Sequence, residues 1–283
     1  MSTEQDPRRR TTRHRVRTWR DGAAVDRDDS LTGEEPAQIS VVDAGGSHYD
    51  VAVTMRTPGH DEELAVGFLV SESLISQSSV ERITFGDPLD ASQPENHISV
   101  HLRTQFDAAR IPTRTTVATA SCGICGKASI DDVVQRLGVV QPIVRINYDA
   151  LLQLPLKVRE AQAIFDETGG IHAAATVAVT AQGELSIVTV REDVGRHNAV
   201  DKLIGEAALR GVLPLRGALL FLSGRCSFEL VQKAAAAGFG AIAAVGAPSS
   251  LAVETAERLG ICLIGFLRER SCNLYTQFDV VQR

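Results

Sequence analysis

The feature that most constrains the fold is an alternation of short apolar segments with helical segments over residues 218–267. The segments ALLFLS, AIAAVG and CLIGFL are continuously apolar, as strands are in a sheet that is buried on both faces. The segments between them, FELVQKAAAAG and LAVETAERLG, are long enough to form helices. Because β-α-β crossovers are right-handed, the three strands are predicted to be parallel, with their carboxyl ends along one edge of a sheet.

Three loops are predicted at that edge: SGRCS (223–227), GAPSS (246–250) and RERS (268–271). Glycines allow close backbone approach, serines before helices leave N–H groups for anions, and arginines pair with phosphate or stack on flat rings. Capping serines and surface arginines would explain any one loop, but three together predict a pocket for a phosphorylated heterocycle. The candidate ligand-binding residues are Ser223, Gly224, Arg225, Ser249 and Ser250. Ordinary use of ATP or NAD has no motif support.

The rest of the chain predicts an α/β protein with an α+β N-terminal part. A strand pair around AGGS is predicted within 38–57, then a helix in DEELAVGFLVSESLI and a strand at 97–103. The second half predicts a helix over 155–168 with Pro155 in its first turn, a hairpin IHAAATVAVT–ELSIVTVRE, and a helix over 197–210. The predicted organisation is a disordered tail (1–12), an N-terminal α+β portion (13–118), a mobile loop (119–129) and a C-terminal domain (130–283) that starts with a helix at 130–137.

Composition and charge narrow the class of protein. The chain has 283 residues, a net charge of -6 and 44% hydrophobic residues, which favours an ordinary globular protein over a general nucleic-acid binder. No apolar run is long enough to span a membrane, and no apolar segment of a signal peptide follows the N-terminal arginines. A cytoplasmic location is therefore predicted, with the five cysteines reduced. The N-terminal arginines form either a solvated tail that runs into a first strand or a dock for an acidic partner or phosphate. They are Arg8, Arg9, Arg10, Arg13, Arg15, Arg17 and Arg20.

The order of elements in the second half resembles the cytidine deaminase fold. In that family an H-x-E motif and a P-C-x-x-C motif open two helices and supply the zinc ligands and the proton-shuttling Glu. Here the first position is His197-Asn198-Ala199, and the second has Cys226 followed by Glu229 in place of the second Cys. One His and one Cys do not make a catalytic zinc site, so the scaffold is predicted without metal and without deaminase chemistry. His197 stays a candidate cofactor-binding residue in the crevice, and Cys226 has either a chemical or a packing role.

The sharpest chemical feature is Cys122-Gly123-Ile124-Cys125 in the glycine-rich segment TASCGICGKAS. A thiolate is the attacking species, and C-x-x-C pairing can lower the pKa of one thiol. A thiolate that takes sulfur from a persulfide donor becomes a persulfide, and a second nearby thiol can assist its release. A structural zinc site needs four ligands, of which this pair supplies two. A thioredoxin-like pair opens a helix after a strand, whereas this pair lies in a glycine-rich segment. Zinc, redox and inert alternatives stay open, but the glycines and polar neighbours favour an accessible, reactive pair.

Five segments resemble the FdhD family, the sulfurtransferases required for formate dehydrogenase maturation. They are SCGICGKAS (121–129), TGGIHAAA (168–175), REDVGRHNAVDKLIG (191–205), SGRCSFELVQKAA (223–235) and GFLRERSCNLYT (265–276). The resemblance implies that a cysteine desulfurase passes sulfur to Cys122, with Cys125 as its partner. The carrier would then supply the sulfur to Mo-bis(molybdopterin guanine dinucleotide) before that cofactor enters formate dehydrogenase. It further implies a homodimer, a cytidine deaminase-like fold, and a cofactor-binding segment made of Phe266, Leu267, Arg268, Glu269, Arg270 and Ser271.

The leading hypothesis is therefore an enzyme, a cytoplasmic sulfurtransferase acting through a cysteine persulfide, with no nucleic-acid or membrane partner. A guanine nucleotide is expected to mimic its bound cofactor. The first alternative is a chaperone that binds the pterin cofactor without moving sulfur, and the second is a zinc-dependent deaminase. His172 is predicted to be structural. The run 191–193 is predicted to be part of the pocket or an ion-pair network. Cys262 is predicted to be core, and Cys272 is left undecided.

Overall fold

The computed structural model describes residues 10–86, 94–111, 131, 134–141, 143 and 145–283. Over these residues the chain has a mixed α/β fold, built mainly on a four-stranded and a six-stranded sheet. Two smaller pairs are β1 (Thr11–Arg20) with β2 (Ala23–Thr32), and β7 (Ile146–Asn147) with β14 (Val281–Gln282). Of the helix predicted at 130–137, residues 131 and 134–137 are described and are helical.

The four-stranded sheet has the order β4-β3-β6-β5. Its strands are β3 (Glu35–Val42), β4 (His48–Arg56), β5 (Val80–Phe85) and β6 (His97–Leu102). The predicted pair around AGGS is confirmed, because β3 and β4 are antiparallel neighbours. Asp43 fixes their turn, since its carboxylate accepts the backbone N–H groups of Gly45 (2.9 Å) and Ser47 (3.0 Å). Helix α1 (Asp61–Ser71) shares a hydrophobic core with this sheet.

The six-stranded sheet has the order β13-β12-β11-β10-β8-β9. Its strands are β8 (His172–Val179), β9 (Leu185–Asp193), β10 (Ala218–Leu222), β11 (Ala241–Ala244), β12 (Cys262–Arg268) and β13 (Ser271–Leu274). The prediction that β10, β11 and β12 are parallel is confirmed. The hairpin predicted before them is also confirmed, as β8 and β9.

Helices cover both faces of this sheet. They are α2 (Tyr148–Glu160), α3 (Ala163–Thr168), α4 (Arg196–Leu209), α5 (Phe228–Ala237) and α6 (Ser250–Leu259). Side chains alternate along a strand, so β10 directs Leu220 and Leu222 into a core with α4, α5 and α6. The same strand directs Leu219 and Phe221 into a core with α2.

The predicted helix over 155–168 is wrong in its start and in its continuity. Helix α2 begins at Tyr148, because the side chain of Asn147 accepts the N–H of Ala150 (2.9 Å) and caps it two turns earlier. Pro155 therefore lies inside α2 instead of in a first turn. The helix is interrupted at 161–162, and α3 follows. Helix α3 ends at Gly169, which adopts the left-handed conformation (φ 67°). This is the C-terminus that the sequence predicted.

Strands β2 and β13 were not predicted. Strand β1 is the first strand into which the arginine-rich tail was expected to run; it begins at Thr11, within the stretch assigned to the tail, and β2 follows it as a hairpin. The segment RERS was predicted as a loop, but Arg268 ends β12 and Ser271 begins β13, which leaves only a tight turn between them. Strands β1 and β2 lack a regular alternation of apolar and polar residues, because most of their side chains face solvent. Strand β13 does alternate, but it is only four residues long, which is too short for a clear signal.

Helices α1 and α4 join the two sheets through glycines. A Cβ on Gly67 would overlap the carbonyl oxygen of Asp201, and a Cβ on Gly205 would overlap that of Glu63. The two backbones can therefore approach only because both positions lack side chains. Beside this crossing, the buried ammonium group of Lys233 on α5 pairs with Glu72 (2.8 Å) at the end of α1 and with Asp201 (3.0 Å) on α4.

Candidate functional site

The predicted loops 223–227 and 246–250 meet each other and the end of β12 through backbone hydrogen bonds at the carboxyl edge of β10, β11 and β12. The N–H of Gly246 donates to the carbonyl of Gly224 (2.8 Å), and the N–H of Phe266 donates to the carbonyl of Gly246 (3.1 Å). A Cβ on Gly246 would lie 2.7 Å from the backbone nitrogen of Arg225. Gly246 thus permits close approach of the two loops, and Gly224 leaves room for the imidazole of His172. Their predicted close approach to a ligand stays a prediction.

A cavity of about 580 Å³ opens beside these loops, on the face of the sheet that α2 covers. Its walls are largely apolar, and they include the rings of Phe165 and Phe221 and the side chain of Val245. Phe165 is held in place because the guanidinium of Arg159 lies 4.1 Å from its ring centroid and also pairs with Asp166 (2.6 Å). The volume and the apolar walls are typical of a small-molecule site.

Three polar groups converge on this cavity. Gln162 is only 4% exposed, and within the described residues its Nε2 has no hydrogen-bond acceptor. The Oγ of Ser223 accepts the N–H of Ala173 (2.8 Å), which leaves its own O–H available to a ligand. His172 lies against Gly224, where a Cβ would be 3.2 Å from Nδ1. Polar side chains thus interrupt the apolar wall of the cavity at Gln162, His172 and Ser223.

The charge around His172 favours an anion. Burial lowers the pKa of the His172 imidazole, and the positive charges of Arg196 and Arg225 lower it further against the opposing charge of Asp193. The imidazole is therefore neutral at pH 7. Within the described residues, Nε of Arg196 has no hydrogen-bond partner. The same edge of the sheet thus carries positive charge beside an apolar cavity.

The predicted cofactor-binding segment 266–271 adjoins the cavity wall, but its residues differ in their exposure. Phe266 is 43% exposed and adopts a left-handed conformation (φ 50°) at a bulge in β12. Leu267 is fully buried in the core. Arg268 donates from one guanidinium nitrogen to the carbonyls of Val245 (2.5 Å) and Leu267 (2.9 Å). Glu269, Arg270 and Ser271 are exposed in and after the turn, as are Ser249 and Ser250 at the start of α6.

His197 belongs to a separate group on the other face of the sheet. Its Nε2 lies 3.2 Å from the Oγ of Ser227 and 4.0 Å from the Glu229 carboxylate. Burial lowers its pKa to about 4, with help from Arg196 and Lys233. Ala199 is in the core. In the parts of the chain described, no three His, Cys, Asp or Glu side chains are grouped to hold a metal ion.

The run 191–193 forms an ion-pair and hydrogen-bond network, one of the two alternatives that the sequence left open. Arg191 pairs with Glu63 (2.5 Å), and the buried Asp193 pairs with Lys202 (2.7 Å). Glu192 accepts the first backbone N–H groups of α3. Gln162 and Phe165 were not predicted as site residues. A continuous helix over 155–168 was expected, but the helix is interrupted at 161–162, and this interruption places both residues at the cavity.

The predicted catalytic residues Cys122 and Cys125 lie outside the described residues. The described thiols are unsuited to nucleophilic attack, because burial raises the pKa of Cys226 to about 12 and that of Cys262 to about 12. Burial also raises the pKa of the half-buried Cys272. Cys262 is in the core as predicted, and the burial of Cys226 favours its packing role.

Described residues on both sides of the cysteine pair pack on the rest of the protein. Ile111 packs against the core of the N-terminal sheet. After the pair, Asp131 forms a salt bridge with Arg258 of α6 (2.7 Å), and Val134 and Leu137 pack on the core beneath α4, α5 and α6.

Among the helices described, none has both the length and the apolar composition needed to cross a membrane.

Comparisons with known proteins agree with this arrangement. A model of the FdhD/NarQ family matches residues 33–282. The "Sulfur carrier protein FdhD" of Streptomyces coelicolor is 46% identical, over 96% of this chain and 95% of that protein. The protein of the same name from Mycobacterium tuberculosis is 42% identical over 95% of this chain and 98% of that one. The crystal structure of a proposed formate dehydrogenase accessory protein from Desulfotalea psychrophila has the same fold (TM-score 0.71, 21% identity), covering 96% of this chain and 99% of that one.

Proposed function

Since the chain belongs to the FdhD/NarQ family, we propose that it is a sulfurtransferase that carries sulfur from a cysteine desulfurase to Mo-bis(molybdopterin guanine dinucleotide) before that cofactor enters formate dehydrogenase. The observation that carries the proposal is 46% identity, over nearly the whole chain, to a protein named as a sulfur carrier. We further propose a cytidine deaminase-like scaffold for the six-stranded sheet and its helices, and a homodimer in the cytoplasm.

The chemistry is assigned to Cys122 and Cys125. The Cys122 thiolate attacks the outer sulfur of the donor persulfide, so that a new S–S bond forms on Cys122 while the donor S–S bond breaks and leaves a donor thiolate. Cys125 then attacks Sγ of Cys122 and expels the carried sulfur as hydrosulfide to the acceptor, which leaves a Cys122–Cys125 disulfide for a cellular dithiol to reduce. The raised pKa values of Cys226, Cys262 and Cys272 support this assignment, since those thiols remain protonated.

We assign one nucleotide end of the cofactor to the cavity beside the edge loops. Phe165 offers a ring for a flat base, and the hydroxyl of Ser223 donates to an acceptor on it. The Gln162 amide, whose Nε2 is buried without a partner, turns toward the cavity when the base binds and donates to a carbonyl or ring nitrogen. Arg196 and Arg225 supply positive charge for phosphate beside His172. The segment 266–271 adjoins this site, because Arg268 binds the carbonyl of Val245 in the cavity wall.

The sulfur step is tested by incubating the protein with a cysteine desulfurase and cysteine, followed by mass spectrometry of peptides. We expect the mass of one sulfur on the peptide that contains Cys122, and its loss in Cys122→Ala. Cys272→Ala is the control, because this thiol is also partly accessible. A chaperone that moves no sulfur would instead support formate dehydrogenase activity after both Cys122→Ala and Cys125→Ala. That result would overturn the sulfur-transfer assignment.

The cofactor site is tested by calorimetric binding of guanosine diphosphate as a mimic. Gln162→Leu keeps the volume of the side chain but removes the donor, so we expect binding about tenfold weaker. Gln282→Leu is the control, since Gln282 is exposed and does not line the cavity. Equal affinity of the wild type and Gln162→Leu would show that the base lies elsewhere.

A further inference from the structure

Helix α3 carries the ring of Phe165 to the cavity, but it cannot hold that ring in place by itself. The helix has only six residues, and an isolated helix of that length is unstable in water. Its N-cap residue, Gln162, makes no side-chain hydrogen bond to the helix, so the first backbone N–H groups need acceptors from another element. The position of Phe165 therefore depends on contacts that reach α3 from outside.

Those acceptors are the two carboxylate oxygens of Glu192 on β9. One oxygen accepts the N–H of Ile164 (3.0 Å), and the other accepts the N–H of Phe165 itself (2.9 Å). Because each oxygen binds a different N–H group, the carboxylate sets both the position and the orientation of the first turn of α3 relative to β9. A side chain with one acceptor oxygen cannot make both bonds in this way.

The backbone that carries Glu192 is itself firmly anchored. The carbonyl oxygen of Glu192 accepts from the buried ammonium group of Lys202 (3.4 Å). The next residue, Asp193, is fully buried, pairs with Lys202 (2.7 Å) and accepts the N–H groups of Thr57 (3.1 Å) and Gly195 (2.8 Å). The Glu192 carboxylate is therefore a fixed point against which α3 can be held.

The same end of β9 also fixes another part of the cavity wall. Glu192 is the cross-strand partner of Ala173 on β8, and Asp193 is the partner of His172. Ala173 in turn donates its N–H to the Oγ of Ser223 (2.8 Å), and its carbonyl accepts the N–H of Ser223 (2.9 Å). The ring on α3 and the polar groups of His172 and Ser223 are thus set relative to one another by one end of the β8–β9 pair.

We propose that Glu192 is a positioning residue for nucleotide binding, which holds the ring of Phe165 at the spacing from Ser223 that a flat base requires. This inference rests on the proposed assignment of the nucleotide base to Phe165. Glu192 does not line this cavity, and its carboxylate oxygens accept from the backbone of α3, so it acts on the base through Phe165. Holding the ring in advance lowers the cost of ordering it when the base binds.

A double-mutant cycle on calorimetric binding of guanosine diphosphate tests this role. Phe165→Ala removes the stacking surface, so we expect binding about tenfold weaker. Glu192→Ala keeps the ring but releases it, so we expect binding about threefold to tenfold weaker. If Glu192 acts through Phe165, the double variant should match Phe165→Ala within about twofold, because no ring is left to position.

Two further variants separate positioning from a general effect on charge or folding. Glu167→Ala is the matched control, because Glu167 is an exposed acid on the same helix that does not line the cavity, and its affinity should equal that of the wild type. Glu192→Gln keeps the side-chain volume and one acceptor oxygen, so its affinity should lie between those of the wild type and Glu192→Ala. It replaces Glu192→Ala in the cycle if circular dichroism shows that the alanine variant does not fold.

The outcomes distinguish failure of this inference from failure of the base site. If Phe165→Ala weakens binding but both Glu192 variants bind like the wild type, the base site stands and the positioning role is wrong. If the losses of the two single variants add in the double variant, Glu192 does not act through Phe165, and again only the positioning role is wrong. If Phe165→Ala binds like the wild type, the proposed base site is wrong, and the positioning role is wrong with it.

Discussion

Lys233→Met tests the buried network that joins α1, α4 and α5. The ammonium group of Lys233 contacts two carboxylates, Glu72 and Asp201, and donates to the hydroxyl of Ser71 (2.9 Å). Methionine keeps the apolar stem but leaves Asp201, which is 1% exposed, without its positive partner. Removing one partner of a buried ion pair costs about 3–5 kcal/mol, a large fraction of the roughly 5–15 kcal/mol that stabilises a typical domain. We therefore expect a loss of about 3–5 kcal/mol at pH 7 in denaturant unfolding followed by circular dichroism.

The pH dependence of that loss is part of the prediction. Burial already raises the pKa of Asp201, against the lowering effect of Lys233, and removing Lys233 raises it further. An acid whose pKa is higher in the folded than in the unfolded state destabilises the fold as pH rises, so the penalty in Lys233→Met should shrink as pH falls from 7 toward about 4. The pair of Glu72 with Lys233 also makes the penalty of Lys233→Met smaller at low pH. Burial would raise its pKa but Lys233 lowers it, so its stabilising pair in the wild type is also lost in acid.

The control is Arg210→Met, because Arg210 is 58% exposed and pairs with Glu206 on the surface. It should cost less than about 1 kcal/mol at any pH. A loss below about 1 kcal/mol for Lys233→Met, or a loss that does not change between pH 7 and pH 4, would refute the reasoning about a buried, charged network.

Three further changes test the packing and the ion pairs. Gly205→Ala places a methyl group against the carbonyl of Glu63 and should cost at least about 1–3 kcal/mol, and an unchanged unfolding midpoint would contradict the close crossing of α1 and α4. Asn147→Ala removes the cap at Ala150 and should cost about 1 kcal/mol in thermal unfolding, whereas Asn147→Asp should retain most of it. Burial would raise the pKa of Glu63, but Arg191 lowers it to about 2. Glu63→Gln should therefore be less stable than the wild type at pH 7, with a difference that disappears as pH falls from about 4.5 toward 2, and a constant difference would contradict the pairing.

Local sequence signals gave much of the C-terminal sheet correctly. The continuous apolar runs of β10, β11 and β12 and the intervening helices predicted three parallel strands, and all three are parallel. Turn glycines and alternation predicted the pairs β3–β4 and β8–β9. The loops at 223–227, 246–250 and 268–271 were placed at one edge by topology alone, and hydrogen bonds between Gly224, Gly246 and Phe266 join the first two to the end of β12.

Where two local signals competed, the prediction of the element was wrong or incomplete. Pro155 suggested the start of a helix, but the cap at Asn147 begins α2 earlier, since a proline inside a helix is tolerated when tertiary packing outweighs its missing N–H. Strand β1 was expected only as a first strand without bounds, and β2 escaped prediction, because exposed strands have no core to impose alternation on them.

The sequence by itself determined the family, the cysteine pair at 122 and 125, and the parallel strands whose loops share one edge, because each depends on motifs of residues close together in the chain. Only the tertiary structure decided that Gln162, His172 and Ser223 converge on one cavity, that Leu267 is buried away from it, and that His197 lies on the opposite face. These outcomes depend on which face of the sheet each side chain reaches. That choice is made by packing between residues far apart in sequence, on which local patterns carry no information.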